Sequence, residues 1–201
     1  MAADLNSAVA FKVPRESDGF PADPGLSFPL VTLQGAAPGV KLFWIVRHPL
    51  DAICSLRVGI ARSWGHHPRP PDWRSWADRA LIERCAHHWA YLKSVGFAQV
   101  WDAAIVVTFE DMIADLAAFA QRVTDKVGVV GAAVQPDVRA WIDRVQNENN
   151  DRFIEAQTSR SYSRQDHKVR VGRWRENISD REIAMARPIV AEMAEAFGCR
   201  L

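Results

Sequence analysis

Arg47 and Ser55 stand eight positions apart in the run Ile45-Val46-Arg47-His48-Pro49-Leu50-Asp51-Ala52-Ile53-Cys54-Ser55. Those two residue types at that spacing can make an anion site. A guanidinium offers phosphate a bidentate fork, and a hydroxyl adds one donor. The competing reading pairs Arg47 with a carboxylate and leaves Ser55 as a small packing residue. A second cationic feature comes late in the chain, where Arg160, Arg164, Lys168, Arg170, Arg173 and Arg175 are opposed only by Asp166. Such a run is ordinarily a solvated face, and it becomes a clamp only if it folds over an anion. The paired His66-His67 have no cysteine or carboxylate partner at a recognised metal-ligand spacing, so no metal is expected, and His87 and His88 read as packing or water-facing residues rather than catalytic ones.

A strand and a helix must position Arg47. Leu42 to Val46 is apolar without alternation, the pattern of a strand covered on both faces of a parallel sheet. Pro49 suits the first position of a helix, and Leu50, Ile53 and Leu56 then fall on one face of it. Arg47 is therefore expected at the carboxyl end of a strand, beside a helix N-terminus that favours negative charge.

The other elements follow from the same signals. Ala8 to Val13 reads as a short strand stopped by Pro14, and residues 14–40, rich in proline and glycine, as a long irregular connection. The helix after the first site is expected to reach residue 63, followed by a loop over residues 64–73. Ser75 is expected to cap a helix running to about Val95, with Trp76, Leu81, Cys85, Trp89 and Leu92 inward. Ala103 to Phe109 is rich in β-branched residues and reads as another strand, leading into Glu110-Asp111. Asp111 is expected to cap a helix to about Val127 that buries Met112, Leu116, Phe119 and Val123 and stops at Gly128.

A further helix is expected from Pro136 to about Asn147, with Trp141 and Val145 inward, then a polar surface or lid segment over residues 147–163. Ser179-Asp180-Arg181-Glu182 is a capping box for a last amphipathic helix containing Ile183, Ile189, Val190 and Met193, with Gly198 at its end. Strands alternating with helices imply an α/β sandwich with a mainly parallel sheet, a single domain over residues 1–201. Its ligands would bind outside the carboxyl ends of the strands. The Arg47 turn and the Glu110-Asp111 turn would then share one rim.

Composition narrows the function class. The 201 residues carry a formal charge of +1, so neither a global nucleic-acid field nor an acidic tail is expected. Three widely spaced cysteines, Cys54, Cys85 and Cys199, fit reduced thiols better than a disulfide framework. No apolar run approaches the ~20 residues of a membrane span, and the first residues lack a signal-peptide pattern. The expectation is a soluble, cytoplasmic protein without nucleic-acid or membrane partners.

Three separated segments together resemble the cytosolic-type sulfotransferases, which use 3′-phosphoadenosine-5′-phosphosulfate as donor and release adenosine 3′,5′-bisphosphate. The Ile45–Ser55 run is similar to that family's 3′-phosphate motif, with its arginine after a strand and a serine eight residues on. Thr108-Phe109-Glu110-Asp111-Met112 resembles the Tyr-Glu-Asp-Leu segment, which implies that Phe109 borders the adenine. His167-Lys168-Val169-Arg170-Val171-Gly172-Arg173-Trp174-Arg175 resembles the C-terminal Arg-Lys-Gly-x-x-Gly-Asp-Trp-Lys motif, which closes on the same phosphate. Lys168, Gly172 and Trp174 match it, whereas His167, Val169 and Arg173 depart from it. Arg170, two residues beyond Lys168, is a further candidate for the phosphate. More weakly, Asp151-Arg152-Phe153-Ile154-Glu155 resembles a segment whose phenylalanine lies against the adenine, which gives Phe153 that role. The resemblance covers residues 41–201 and implies a P-loop-NTPase-like three-layer sandwich.

It also implies parts that the sequence lacks. The family's first strand leads into a Ser-Gly-Thr-Thr type loop that wraps the 5′-phosphosulfate, and residues 1–40 contain neither that loop nor a Walker loop. The first βα unit therefore reads as missing. Ala10-Phe11-Lys12-Val13-Pro14 resembles the next family strand, with Val13-Pro14 where Thr-His would carry the general base. By resemblance Lys12 is a candidate to stabilise the bridging oxygen, and Glu16 is a candidate base.

The leading expectation is transfer of a sulfuryl group to a hydroxyl or amine of a small-molecule or saccharide acceptor. The alternative is a non-catalytic nucleotide-binding or interaction protein that keeps only the 3′-phosphate site. A phosphate-donating P-loop kinase relative is disfavoured by the missing Walker lysine. Strand edges left unpaired by a missing first strand predict association with a second copy, or low stability.

Overall fold

The computed structural model describes residues 39–61, 72–128, 136–148 and 171–201. The strand expected over Ala8–Val13, the proline-rich connection up to residue 38, the paired histidines at 66 and 67 and most of the late polar segment lie outside the described residues.

Two strands are described, β1 (Leu42–Val46) and β2 (Ala104–Thr108), and they pair in parallel with Leu42 opposite Ala104 and Val46 opposite Thr108. Between them run α1 (Pro49–Ala61), a 3-10 turn (Trp73–Trp76) and α2 (Leu81–Tyr91), which continues into a π-helical turn (Leu92–Gly96). After β2 come α3 (Phe109–Ala114), α4 (Leu116–Lys126), α5 (Pro136–Glu148), α6 (Trp174–Asn177) and α7 (Asp180–Ala196). The result is a mixed α/β protein, mostly helical among the described residues, with a small parallel sheet.

The main core lies between three helices. Leu50, Ile53 and Cys54 of α1 meet Ile82, Cys85, Ala86 and Trp89 of α2 and Ala186 and Val190 of α7, with Trp76 and Ile178 sealing the ends. The α1 stripe is the one expected from its apolar spacing. A second cluster joins Trp44, Val46 and Val100 to Phe97 and Phe197, whose rings meet edge-on at 5.0 Å between centroids.

Several elements differ from expectation. Ser75 does not open a long helix: it sits inside the 3-10 turn with its hydroxyl donating to the Asp72 carbonyl, and α2 starts after Ala80. Trp76, at the end of that turn, is buried all the same, because it packs into the core between the helices. Asp111 is not the cap expected of it. Thr108 accepts the Asp111 N–H and opens α3, and Asp115 then accepts the Ala118 N–H and opens α4, so one expected helix is two. Leu116 is nevertheless buried, with Met112, Phe119 and Val123 half-buried, because the two short helices keep the apolar spacing on one side.

The strands are also not covered on both faces throughout. Trp44 and Val106 share one face and Ile45 and Val107 the other, yet Trp44 and Val107 are each 7% exposed while Ile45 is 62% and Val106 42% exposed. Burial here follows neighbours: Phe97 packs on Trp44, and the Lys93 ammonium lies over its indole while donating to the Ile45 carbonyl. No described helix is long and apolar enough to cross a membrane.

Candidate functional site

The parallel register creates a corner. Because Val46 faces Thr108, the next residues of both strands, Arg47 and Phe109, emerge side by side at the carboxyl end of the sheet. The Arg47 guanidinium lies 4.3 Å from the centre of the Phe109 ring, a cation–π contact. Beside it, the Glu110 carboxylate accepts the His48 N–H at 2.9 Å, which ties the β2–α3 turn to the β1–α1 turn.

The C-terminal part of the chain reaches the same corner through Asp51, in the first turn of α1. This carboxylate is fully buried, with one oxygen accepting the Gly172 N–H at 2.6 Å and the other the Trp174 N–H at 3.0 Å. Gly172 has φ +82°, a left-handed conformation that costs a side-chain-bearing residue strain, and an added Cβ would come within 2.5 Å of the Arg175 guanidinium. Arg173, between the two bound amides, is 8% exposed. The Trp174 indole stacks on His48, nearly parallel with centroids 5.7 Å apart, and the Arg175 guanidinium lies over the same indole. The His48 imidazole donates through Nε2 to the Arg200 carbonyl at 2.8 Å. Two more hydrogen bonds hold the segment down: Arg57 donates to the Asn177 carbonyl and to Glu182 of α7.

Electrostatically the corner is a mixed cluster. Burial pushes the Arg47 pKa below its ordinary value; Asp51 and Glu110 oppose that shift, while Arg173 and its like charge add to it. Two guanidiniums and two carboxylates act on one another here, and each carboxylate already has backbone N–H donors. Thiolate chemistry is disfavoured nearby, because burial raises the Cys54 pKa and pushes that of Cys85 up to about 12. Among the described residues no group of three or more histidine, cysteine or acidic side chains could hold a metal ion.

Of the residues singled out from the sequence, Arg47, Phe109 and Gly172 meet at this corner. Ser55 lies one turn along α1 from Asp51 and is exposed. Lys12, Glu16, Phe153, His167, Lys168 and Arg170 lie outside the described residues. Sequence reasoning named Arg173 only as one member of the basic run, and it missed the role of Asp51, the stacking of His48 on Trp174 and the Arg200 carbonyl. An acidic residue in a helix's first turn is so common that Asp51 carried no separate signal.

No known family model matches the chain, and no curated protein or solved structure matches it either.

Proposed function

We propose that the corner binds the 3′-phosphate end of 3′-phosphoadenosine-5′-phosphosulfate, and that the protein transfers the sulfuryl group to a hydroxyl or amine acceptor. The observation that carries this reading is the union, at Asp51, of the two motifs that prompted it: the Arg47 run on α1 and the Gly172-Arg173-Trp174 segment 121 residues away. In a three-layer sandwich of the expected kind, that meeting point is the rim where ligands bind.

The residues suit such a ligand chemically. Arg47 offers a bidentate fork, the first-turn amides of α1 have no acceptor within the helix, and Phe109 offers an aromatic face for a base. Arg173 adds a second guanidinium, and the Ser55 hydroxyl is accessible one turn further on. When bound, the donor would supply the activated sulfuryl group. The chain's contribution is to hold the nucleotide's phosphate in place, since transfer of this kind depends mainly on alignment and charge neutralisation. By resemblance, Lys168 would close on the phosphate, with the neighbouring Arg170 and His167 as further candidates there; Lys12 would serve the bridging oxygen, and Glu16, by the chemistry of a carboxylate near an acceptor hydroxyl, would be the base.

Calorimetry tests this reading. Adenosine 3′,5′-bisphosphate is expected to bind and adenosine 5′-monophosphate to bind far more weakly, with Arg47→Ala weakening the former by about 10- to 100-fold. Equal affinity for the two nucleotides would overturn the assignment.

A second reading, nucleotide binding or protein interaction without turnover, is favoured by one specific feature. Asp51 and Glu110 cancel the formal charge of Arg47 and Arg173, so this corner alone offers little net attraction for a dianion. Binding of the bisphosphate without sulfuryl transfer from the donor to any hydroxyl or amine acceptor would select it.

A further inference from the structure

Asp51 sets a puzzle: a buried carboxylate stands beside the group meant to receive a phosphate, where charge alone would make it harmful. Its geometry supplies a different role. Each of its oxygens takes one backbone N–H from the turn at residues 172–174, at 2.6 Å and 3.0 Å, and the residue between those amides is Arg173. Gly172 adopts the left-handed backbone of this turn, and the buried side of α1 supplies the carboxylate.

We infer that Asp51 is a positioning residue for the anion site: it fixes the 172–174 turn on the first turn of α1 and thereby holds the buried Arg173 next to the Arg47 corner. This rests on the nucleotide reading above and adds a residue and a direction to it. The loss of a negative charge should weaken phosphate binding here, the opposite of what charge alone predicts.

Asp51→Asn separates the two. The carboxamide has one acceptor oxygen where the carboxylate has two, so one of the two buried amides would face an NH2 group and lose its acceptor. A positioning role predicts adenosine 3′,5′-bisphosphate binding about tenfold weaker than in the parent protein. Mere proximity of charge predicts tighter binding. Asp137→Asn is the control, because it removes a carboxylate charge from the exposed first turn of α5 and touches nothing in the corner; its affinity should equal that of the parent protein.

Amide hydrogen exchange on the parent protein gives a readout that does not depend on the variant folding. The Gly172 and Trp174 amides should exchange as slowly as those in the middle of α7, and more slowly still with the bisphosphate bound. Parent binding with Asp51→Asn equal or tighter, or rapid exchange at both amides in the parent, overturns the role of Asp51 and leaves the nucleotide reading standing. Failure of the parent to bind the bisphosphate overturns the nucleotide reading, and the inference with it.

Discussion

At the scale of single residues, the corner shows how a side chain's meaning depends on partners far away in the chain. Arg47 was legible from the sequence because a strand end, a proline and a helix announce its place. Asp51 was not, because its partners are backbone amides at residues 172 and 174, and a backbone amide carries no sequence code. His48 is similar: its contacts with Trp174 and the Arg200 carbonyl exist only once the last helix has docked.

A different histidine sets a pH dependence. His87 stacks on Trp76 with centroids 5.0 Å apart, and burial holds its pKa below the ordinary 6.5, with Arg79 adding to the shift and Asp72 and Glu83 opposing it. The unfolded chain therefore takes up this proton more readily than the folded one. Its contribution to stability is complete above about pH 6.5 and is lost as the pH falls from there through the folded pKa. His87→Phe, which keeps a ring against Trp76, is expected to flatten that part of the curve of melting temperature against pH between 7 and 5.

Elements were read well where capping chemistry and apolar spacing agreed. The last helix is the clearest case: Ser179 accepts the Glu182 N–H, and Glu182 accepts the Ser179 N–H at 2.9 Å, as the capping box required. The Ser179 N–H first, then the Ser179 hydroxyl donating to the same carboxylate and the Arg57 charge, lower the Glu182 pKa against the opposing effect of its burial, so this cap contributes above about pH 4.5 and weakens in acid as the carboxylate protonates. Ser179→Ala is expected to cost about 1 kcal/mol, measured by denaturant unfolding at neutral pH. The expected helix beginning at Asp111 failed for an instructive reason. Apolar spacing ran unbroken from Met112 to Val123, but Thr108 and Asp115 are both competent caps, and side-chain capping at Asp115 ended one helix and began another. Periodicity fixes which side of a segment is inward, not whether the backbone continues through it.

For the whole molecule, the parallel sheet and the α1–α2–α7 core follow from the apolar pattern, whereas the docking of the chain's end does not. Arg57 spans that junction, donating to the Asn177 carbonyl at 2.7 Å and to Glu182 at 2.8 Å from a side chain that is 30% exposed. After allowance for solvent screening, Arg57→Met is expected to destabilise by about 1 kcal/mol in denaturant unfolding. If the self-association expected from unpaired strand edges occurs, the exposed Ile45 is a place where a charge would oppose it. Light scattering should show the mean mass rising with concentration, and Ile45→Lys should reduce that rise.

The pairing of Val46 with Thr108 means that chain length elsewhere adjusts the corner. A residue inserted in the Val100–Ala103 turn, which holds none of the corner's side chains, would invite β2 to slide one step, about 3.3 Å, along its neighbour. Phe109 would then leave the Arg47 guanidinium and Glu110 the His48 amide, with every corner residue still present. That turn is in effect a spacer, and its tolerance of insertions gauges how finely ligand recognition depends on strand alignment.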